Sequence, residues 1–537
     1  MNEIVKITFT VLLSLLLSLS FSLYAAEEET ASEDENKVVQ EKADVEELAV
    51  PKEATEAEKP KSEESTKTEE SESEESTEAE VVEPEALESL TIKHQVGDTD
   101  LPVKTITADP MVLLQTLKED ILAQTEKQTK PFTMKTEVIG VWREQFADSW
   151  GKLPPLTVIT EIDKEGKGKS DITLPAFKKV LPDPEGEEED ATIDWKGLQG
   201  QLTFAEKFAD LKADLTIEGL TIKQEEGEDF SFDMEKTTLK GEFDADLMPT
   251  SLEFKLPSLK AVDHDMQTSV QGVTLKGKVK SLEQGLELSA GEFKIKELQF
   301  SEDDTTSTFK DFELTSDGSL EKEGLTYKIS TKIGNLNMPK EAFDDLMDLD
   351  LSYVGNLELR RLDTDVVKQL QKTARDLQKK RQSGEIPADM VSLTWVAKLT
   401  ELAPALLKKS PEIALSQLKL KTDDGKLDGK VTVGIEGNKV SNLEDFSNVM
   451  GALQVQADFS ITKVLLEKTM TTVMANQMAE DLSEEEALKE AQKFTEKQIK
   501  GYIEQKFLKE AGDNYELTAS FKEGKLMVNG QEMPLPF

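Results

Sequence analysis

The chain has 537 residues, a net charge of −44, two histidines and no cysteine. Without cysteine there can be no disulfide, thiolate zinc site, iron–sulfur cluster or cysteine nucleophile, so an exported form of this chain is held by its core alone. So acidic a surface repels nucleic-acid phosphates, and nucleic acid is not an expected partner.

Residues 1–26 read as an export segment. Lys6 and the α-amine precede an apolar stretch from Ile7 to Leu23, and Leu23-Tyr24-Ala25 offers a small residue to signal peptidase. The stretch is shorter than the ~20 residues of a comfortable membrane helix and carries Ser14, Ser18, Ser20 and Ser22. Leu23 is not the small residue preferred at its place in the cleavage site. Two readings therefore stay open, a cleaved signal peptide or an uncleaved inner-membrane anchor, and both put the bulk of the chain in the periplasm. Downstream of Leu23 no apolar run approaches spanning length, so one crossing at most is expected. Residues 27–90 hold 25 acidic residues against six lysines, with no aromatic and no glycine. Such a segment cannot offset its ordering entropy and is expected to be a disordered, extended acidic linker.

The remainder is expected to be α+β, a mainly antiparallel, elongated β meander with several packing helices. It divides into an N-terminal part over 91–200, the meander over 201–360 and a helix-plus-β part over 361–537. Apolar residues alternate at Leu211, Ala213, Leu215 and Ile217, at Leu252, Phe254 and Leu256, at Phe293 and Ile295, and at Leu325, Tyr327 and Ile329. Period-two alternation turns one side of a strand to a core and the other to water. Hairpin turns are expected at Asp317-Gly318, Glu323-Gly324, Asp424-Gly425, Glu523-Gly524 and Asn529-Gly530.

Helices are expected after Asp109-Pro110, from Thr364, from Pro387 to about Lys409, over Ile461 to Met478, and after a Ser483/Glu486 capping box. The third is apolar enough, through Val391, Trp395, Leu399, Leu402 and Leu406, to pack under a sheet, with Pro404 expected to kink it or split off its last turns. The last has an expected core face of Leu488, Ala491, Phe494, Ile499, Tyr502 and Phe507.

No constellation for chemistry stands out, and no catalytic, cofactor-binding or metal-binding residue is assigned. His94 sits beside the linker. His264 lies between Asp263 and Asp265 but lacks converging ligands, so a turn is the expected reading. Asp344, Asp345, Asp348 and Asp350 are dense without a calcium-loop spacing, and Thr422 to Gly429 reads as a hairpin. No nucleophile elbow, phosphate loop or dinucleotide fingerprint is present, so the expectation is a non-enzyme without cofactor.

The C-terminal third carries a resemblance. Leu407-Lys-Lys-Ser-Pro-Glu-Ile-Ala-Leu-Ser-Gln-Leu-Lys-Leu-Lys-Thr-Asp-Asp-Gly425, then Asn514-Tyr-Glu-Leu517 and Gly524-Lys-Leu-Met-Val-Asn-Gly530, resembles the YdgA-like family of bacterial envelope proteins of unknown function. Trp195-Lys-Gly-Leu-Gln-Gly200 is similar to that family too. The resemblance implies an N-terminal membrane segment and a large periplasmic β-rich region. It brings no functional residues. The long acidic linker departs from the family's pattern.

Function is expected to be that of a binding or scaffolding surface in envelope maintenance, with a lipid or another envelope protein as partner. If the apolar sheet face is open it shields acyl chains; if helices over 364–409 and 484–508 cover it, it is an ordinary core, which is the expected case. A protein-docking module on the acidic tether is the alternative, and an envelope-polymer hydrolase converging on His264 the remote one.

Overall fold

Long β-strands joined by tight turns dominate the computed structural model, which describes residues 87–143, 151–181, 190–224, 230–245, 247–282, 285–302, 305–340, 349–382, 389–440, 446–479 and 482–534. These belong to one compact unit. The expected signal and nearly all of the acidic linker lie outside the described residues. Leu87 to Leu90, assigned to the linker from composition, are instead the start of the first strand.

The N-terminal part is folded through non-sequential pairings. Strand β1 (Leu87–Val96) takes β2 (Thr99–Asp100) and β3 (Lys104–Thr107) at one edge and β4 (Phe132–Trp142) at the other. β5 (Leu156–Ile162) and β6 (Gly168–Leu174) follow β4, and β7 (Phe177–Leu181) pairs with β8 (Ala191–Trp195). β9 (Leu198–Phe204) returns to β6 and continues to β10 (Leu211–Ile217), while β11 (Leu220–Gln224) joins β8 to β12 (Phe230–Met234). β13 (Thr237–Phe243) extends from β10.

These two ribbons meet on one strand. β14 (Pro249–Asp263) pairs with β13 along its first half and with β12 along its second. Two dry cores form here. One gathers Leu181, Ile193, Ile222, Phe232, Phe254 and Leu256; the other gathers Ile121, Met134, Phe204, Phe208, Leu211 and Phe243.

From β14 onward the expected meander is present. β15 (Met266–Ser281), β16 (Glu287–Glu302), β17 (Thr305–Glu321), β18 (Gly324–Met338) and β19 (Leu349–Leu362) pair in sequence, each antiparallel to the last. β20 (Glu412–Thr422), β21 (Gly425–Ile435) and β22 (Leu453–Thr462) extend the sheet. β23 (Lys509–Ala511) and β22 both flank β24 (Asn514–Lys522), after which β25 (Lys525–Val528) and β26 (Gln531–Met533) close the chain. The meander thus runs well past residue 360, through the part expected to mix helix and strand.

Four of the expected turns form. Glu523 and Gly524 have φ of 53° and 74°, and Asn529 and Gly530 have 46° and 80°, which suits tight hairpins. Asp317-Gly318 is not a turn: both residues lie inside β17, opposite Lys328 and Tyr327. Glycine there is a packing requirement, because a Cβ on Gly318 would sit 2.9 Å from the Tyr327 ring.

Helix α1 (Pro110–Lys127) starts as expected, with Asp109 Oδ1 accepting the Val112 N–H at 3.2 Å. α2 (Thr364–Gln382) is capped by Asp363, whose Oδ1 accepts from the Asp365 and Val366 N–H groups, and buries Val366, Val367 and Leu377. α3 (Asp389–Leu407) keeps Pro404 within a continuous helix, so the expected split does not occur; the helix ends three residues later in any case. α4 (Phe446–Ala452) is short. Ile461 and Thr462 belong to β22, so α5 (Lys463–Met478) begins two residues after the expected start.

α6 (Glu484–Glu504) corrects two expectations. Ser483 Oγ donates to the Glu486 carboxylate at 2.7 Å and does not accept a backbone N–H, so the reciprocal capping box is not made. The buried face is Ala487, Ala491, Thr495 and Ile499, while Leu488, Phe494, Tyr502 and Phe507 are exposed. Small residues line the contact because α6 packs on α5, and they allow the two helices to approach closely.

Candidate functional site: one open apolar face

Cross-strand partners share a face of a sheet, so the pairing register shows which side chains form continuous rows. One row runs Phe254, Leu275, Phe293, Leu314, Thr331, Gly355, Leu418, Gly429, Phe459 and Leu517, from β14 to β24. A second runs Ile329, Leu357, Leu415, Val431, Ala457 and Ala519, and a third Ile333, Tyr353, Leu420, Leu427, Ile461 and Tyr515. None carries a charge.

The opposite face is charged. There Glu292 meets Lys294, Lys294 meets Glu313 at 3.2 Å, Lys310 meets Glu297 at 3.2 Å and Lys430 meets Asp458 at 3.2 Å. Lys294, hydrogen-bonded to Glu292, holds that carboxyl below its ordinary range. Exposed pairs of this kind add little stability. They keep this side in water and leave the other side as the apolar one.

The strands cross a line at which strict alternation would have moved their apolar residues to the wrong side. Pro257, Gly272, Lys296, Asp311 and Gly334 fall in one line across β14 to β18, and each is skipped by the ladder on at least one side. Gly272 and Asp311 have φ of 64° and 49°. Apolar residues straddle the line at a spacing of three: Leu256 and Leu259, Val270 and Val273, Ile295 and Leu298, Phe309 and Phe312, Ile333 and Leu336. Both members stay on one face. Leu256, Leu259, Val270 and Val273 share a core, and the Phe309 and Phe312 rings lie 5.2 Å apart, with Phe293 5.9 Å from Phe312. A slip of one residue in each strand, in line, preserves the face. The sequence carried this signal in its repeated spacing of three, which reading for pure alternation passes over.

Burial separates the two ends of this face. At β14 it is a core, with Phe254 at 7 % and Leu256 at 8 % exposure. Beyond β15 the row residues are half-buried except Gly355 and, at the far edge on β24, Tyr515 at 5 %, and the paired Ile413 and Val433 reach 53 % and 36 %. Neighbouring strands shield a side chain from the flanks, but only a second layer removes the exposure above it. α2 supplies such a layer at one corner, where Val367 packs with Leu286 and Leu325. The expectation that helices 364–409 and 484–508 cover the face is therefore overturned for most of it.

α3 does not cover it either. Its Leu393 and Val396 are each 63 % exposed, against the expectation that it packs under the sheet. By length and composition Met390–Leu407 is also long and apolar enough to cross a membrane, which corrects the expectation of no such run beyond Leu23.

The polar candidates resolve otherwise. His264 has φ of 54° on the β14–β15 turn, largely exposed, with Nδ1 2.8 Å from Asp263 Oδ1, which bears out the turn expected there. Asp344, Asp345 and Asp348 lie outside the described residues, and Asp350 accepts from Asn335 Nδ2 at 2.7 Å. Asp424 turns the β20–β21 hairpin and meets Lys468 at 2.6 Å. No group of metal-binding side chains occurs among the described residues.

His94, passed over in the sequence, is buried in a polar chain. Its Nδ1 is 2.8 Å from Thr136 Oγ1, its Nε2 donates to Asp120 Oδ2 at 2.9 Å, and Lys104 completes the Asp120 carboxylate. A hydroxyl, an imidazole and a carboxylate in line suggest a hydrolytic triad, but Thr136 is fully buried and its hydroxyl meets no solvent. The arrangement pins α1 to β1 and β4. In a polar pocket of about 390 Å³ at Glu321, Thr326, Glu358, Arg360, Arg361 and Glu412, Arg360 bridges Glu358 and Glu412 and Arg361 also meets Glu412, while the buried Arg361 Nε has no hydrogen-bond partner.

No curated protein and no solved structure matches the chain. A family model described as bacterial protein of unknown function (DUF945) matches residues 133–243 and 225–536, which takes in the meander and most of the N-terminal ribbons. The chain therefore belongs to that bacterial family of unknown function.

Proposed function

We propose that this is a non-enzymatic, exported envelope protein whose open apolar sheet face holds the acyl chains of lipid. The observation that carries the reading is the uncharged rows from β15 to β22, which remain half-buried while the other face is covered with ion pairs. Extended apolar surface without a second layer marks a binding face in a soluble protein. Long rows of methyl and ring carbons, interrupted only by glycine, alanine and threonine, suit a flexible hydrocarbon chain, which needs contact area and no hydrogen bonds. The export signal at residues 1–26 and the YdgA-like resemblance of the C-terminal third support the envelope reading.

The test is to purify the protein from the envelope under mild conditions, extract with organic solvent, and measure lipid by mass spectrometry. Near-stoichiometric lipid that disappears in Leu314→Asp/Leu357→Asp supports the reading. Lipid-free protein, or lipid retained equally by the variant, overturns it.

A further inference from the structure

We infer that the outer side of α3 docks on the surface of an anionic lipid bilayer. It is a site separate from the sheet face and does not depend on that face holding lipid.

Met390, Leu393, Val396 and Leu399 are between 45 % and 63 % exposed, and only 6 % of the Met390–Leu407 window is buried. The hydroxyls on this helix are already satisfied within it. Thr394 Oγ1 donates to the Met390 carbonyl at 2.8 Å, and Thr400 Oγ1 to the Val396 carbonyl at 2.9 Å. That is what a helix needs on entering a region where water is scarce.

Charge selects the occupant. The chain holds 64 basic against 108 acidic residues, yet between Thr364 and Lys409 nine basic residues stand against five acidic ones. Lys408-Lys409 directly follow the apolar window, and Lys379-Lys380-Arg381 precede it in sequence on α2. A protein partner for an apolar helix has no need of this local reversal of sign. Anionic headgroups do, and lysines at the ends of an inserted helix reach them with their stems along the apolar layer.

The helix lies on the bilayer and does not span it. Leu402 is buried at 6 % exposure, so one side of the helix stays with the protein. At 1.5 Å per residue the window spans roughly 27 Å, short of the ~30 Å hydrocarbon core.

A chain without cysteine allows a clean probe. Leu393→Cys in the full chain is labelled with an environment-sensitive dye and mixed with phosphatidylcholine vesicles containing one-third phosphatidylglycerol. The expected result is a blue shift and quenching by lipids spin-labelled near the headgroup, with no shift for a Leu488→Cys label on α6. Lys408→Ala/Lys409→Ala should weaken binding about thirtyfold. Val396→Cys repeats the measurement if Leu393→Cys fails to fold. A probe that stays in water while the chain sediments with vesicles through its N-terminal segment overturns the proposal. So does a shift that is equal on pure phosphatidylcholine, or one seen only with a protein partner.

Discussion

Phe293 and Leu314 face each other across β16 and β17, in register, and both remain half-buried. Phe232 on β12 is 2 % exposed in a closed core. The same kind of side chain thus does two jobs, and stability separates them. Phe232→Ala leaves a cavity and should cost about 3–5 kcal/mol, whereas Leu314→Ala, with solvent above it, should cost about 1 kcal/mol. Urea unfolding of the two variants decides this. A Leu314→Ala loss as large as that of Phe232→Ala would mean the face is closed.

Gly272 sits on the line where the rows slip. With φ of 64° it occupies the left-handed region, and a Cβ there would lie 2.8 Å from Lys296 Cβ. Gly272→Ala therefore meets both backbone strain and a clash that no flexible tip can relieve, and should cost about 1–3 kcal/mol or more. Gly285 has φ of 77° with open space around it, so Gly285→Ala should cost only the backbone term. Equal losses in thermal unfolding would show that the close approach to Lys296 is not a constraint.

What the sequence made legible follows from the range of the interactions involved. Asp109-Pro110 and Asn529-Gly530 act within a few residues, and they form as expected. The meander was readable because each strand is its neighbour's partner. The slip at Gly272, Asp311 and Gly334 was not, because alternation was sought strand by strand and the reason for each slip lies in the next strand. On α6, Ala491 and Ile499 are buried as expected, whereas Phe494 and Tyr502, core by hydrophobicity alone, are exposed. The contact with α5 instead needed the small Ala487 and Ala491, and only tertiary packing decides that. His94 carries no sequence signal at all: Asp120 and Thr136 come to it from α1 and β4.

That convergence can be measured. Asp120→Ala leaves the buried His94 Nε2 without its acceptor and should cost about 2–3 kcal/mol, more than an exposed carboxylate such as Asp171. Thr136→Val replaces a buried hydroxyl with a methyl of similar size and should cost less, about 1–2 kcal/mol. The two losses should fall short of additivity in a double-mutant cycle, since both act through one imidazole. Strict additivity would show that the three groups do not work as a unit.

Tyr515 gives a pH signature. Its hydroxyl donates to Glu467 Oε1 at 2.9 Å. Burial, the hydrogen bond to Glu467 and the charges of Glu467 and Glu510 push its pKa from 10.0 up to about 12. The folded state therefore holds the proton more tightly than the unfolded one. The stability this brings is complete below pH 10 and is lost as pH rises through about 12. Relative to Tyr515→Phe, the parent should lose stability across that window and run parallel below it. Glu467→Gln removes the carboxylate charge while keeping an acceptor, and should shift the loss to lower pH. A parent-to-Tyr515→Phe difference that stays constant through alkaline pH would show that Tyr515 does not titrate late, and that Glu467 is not close enough to hold its proton.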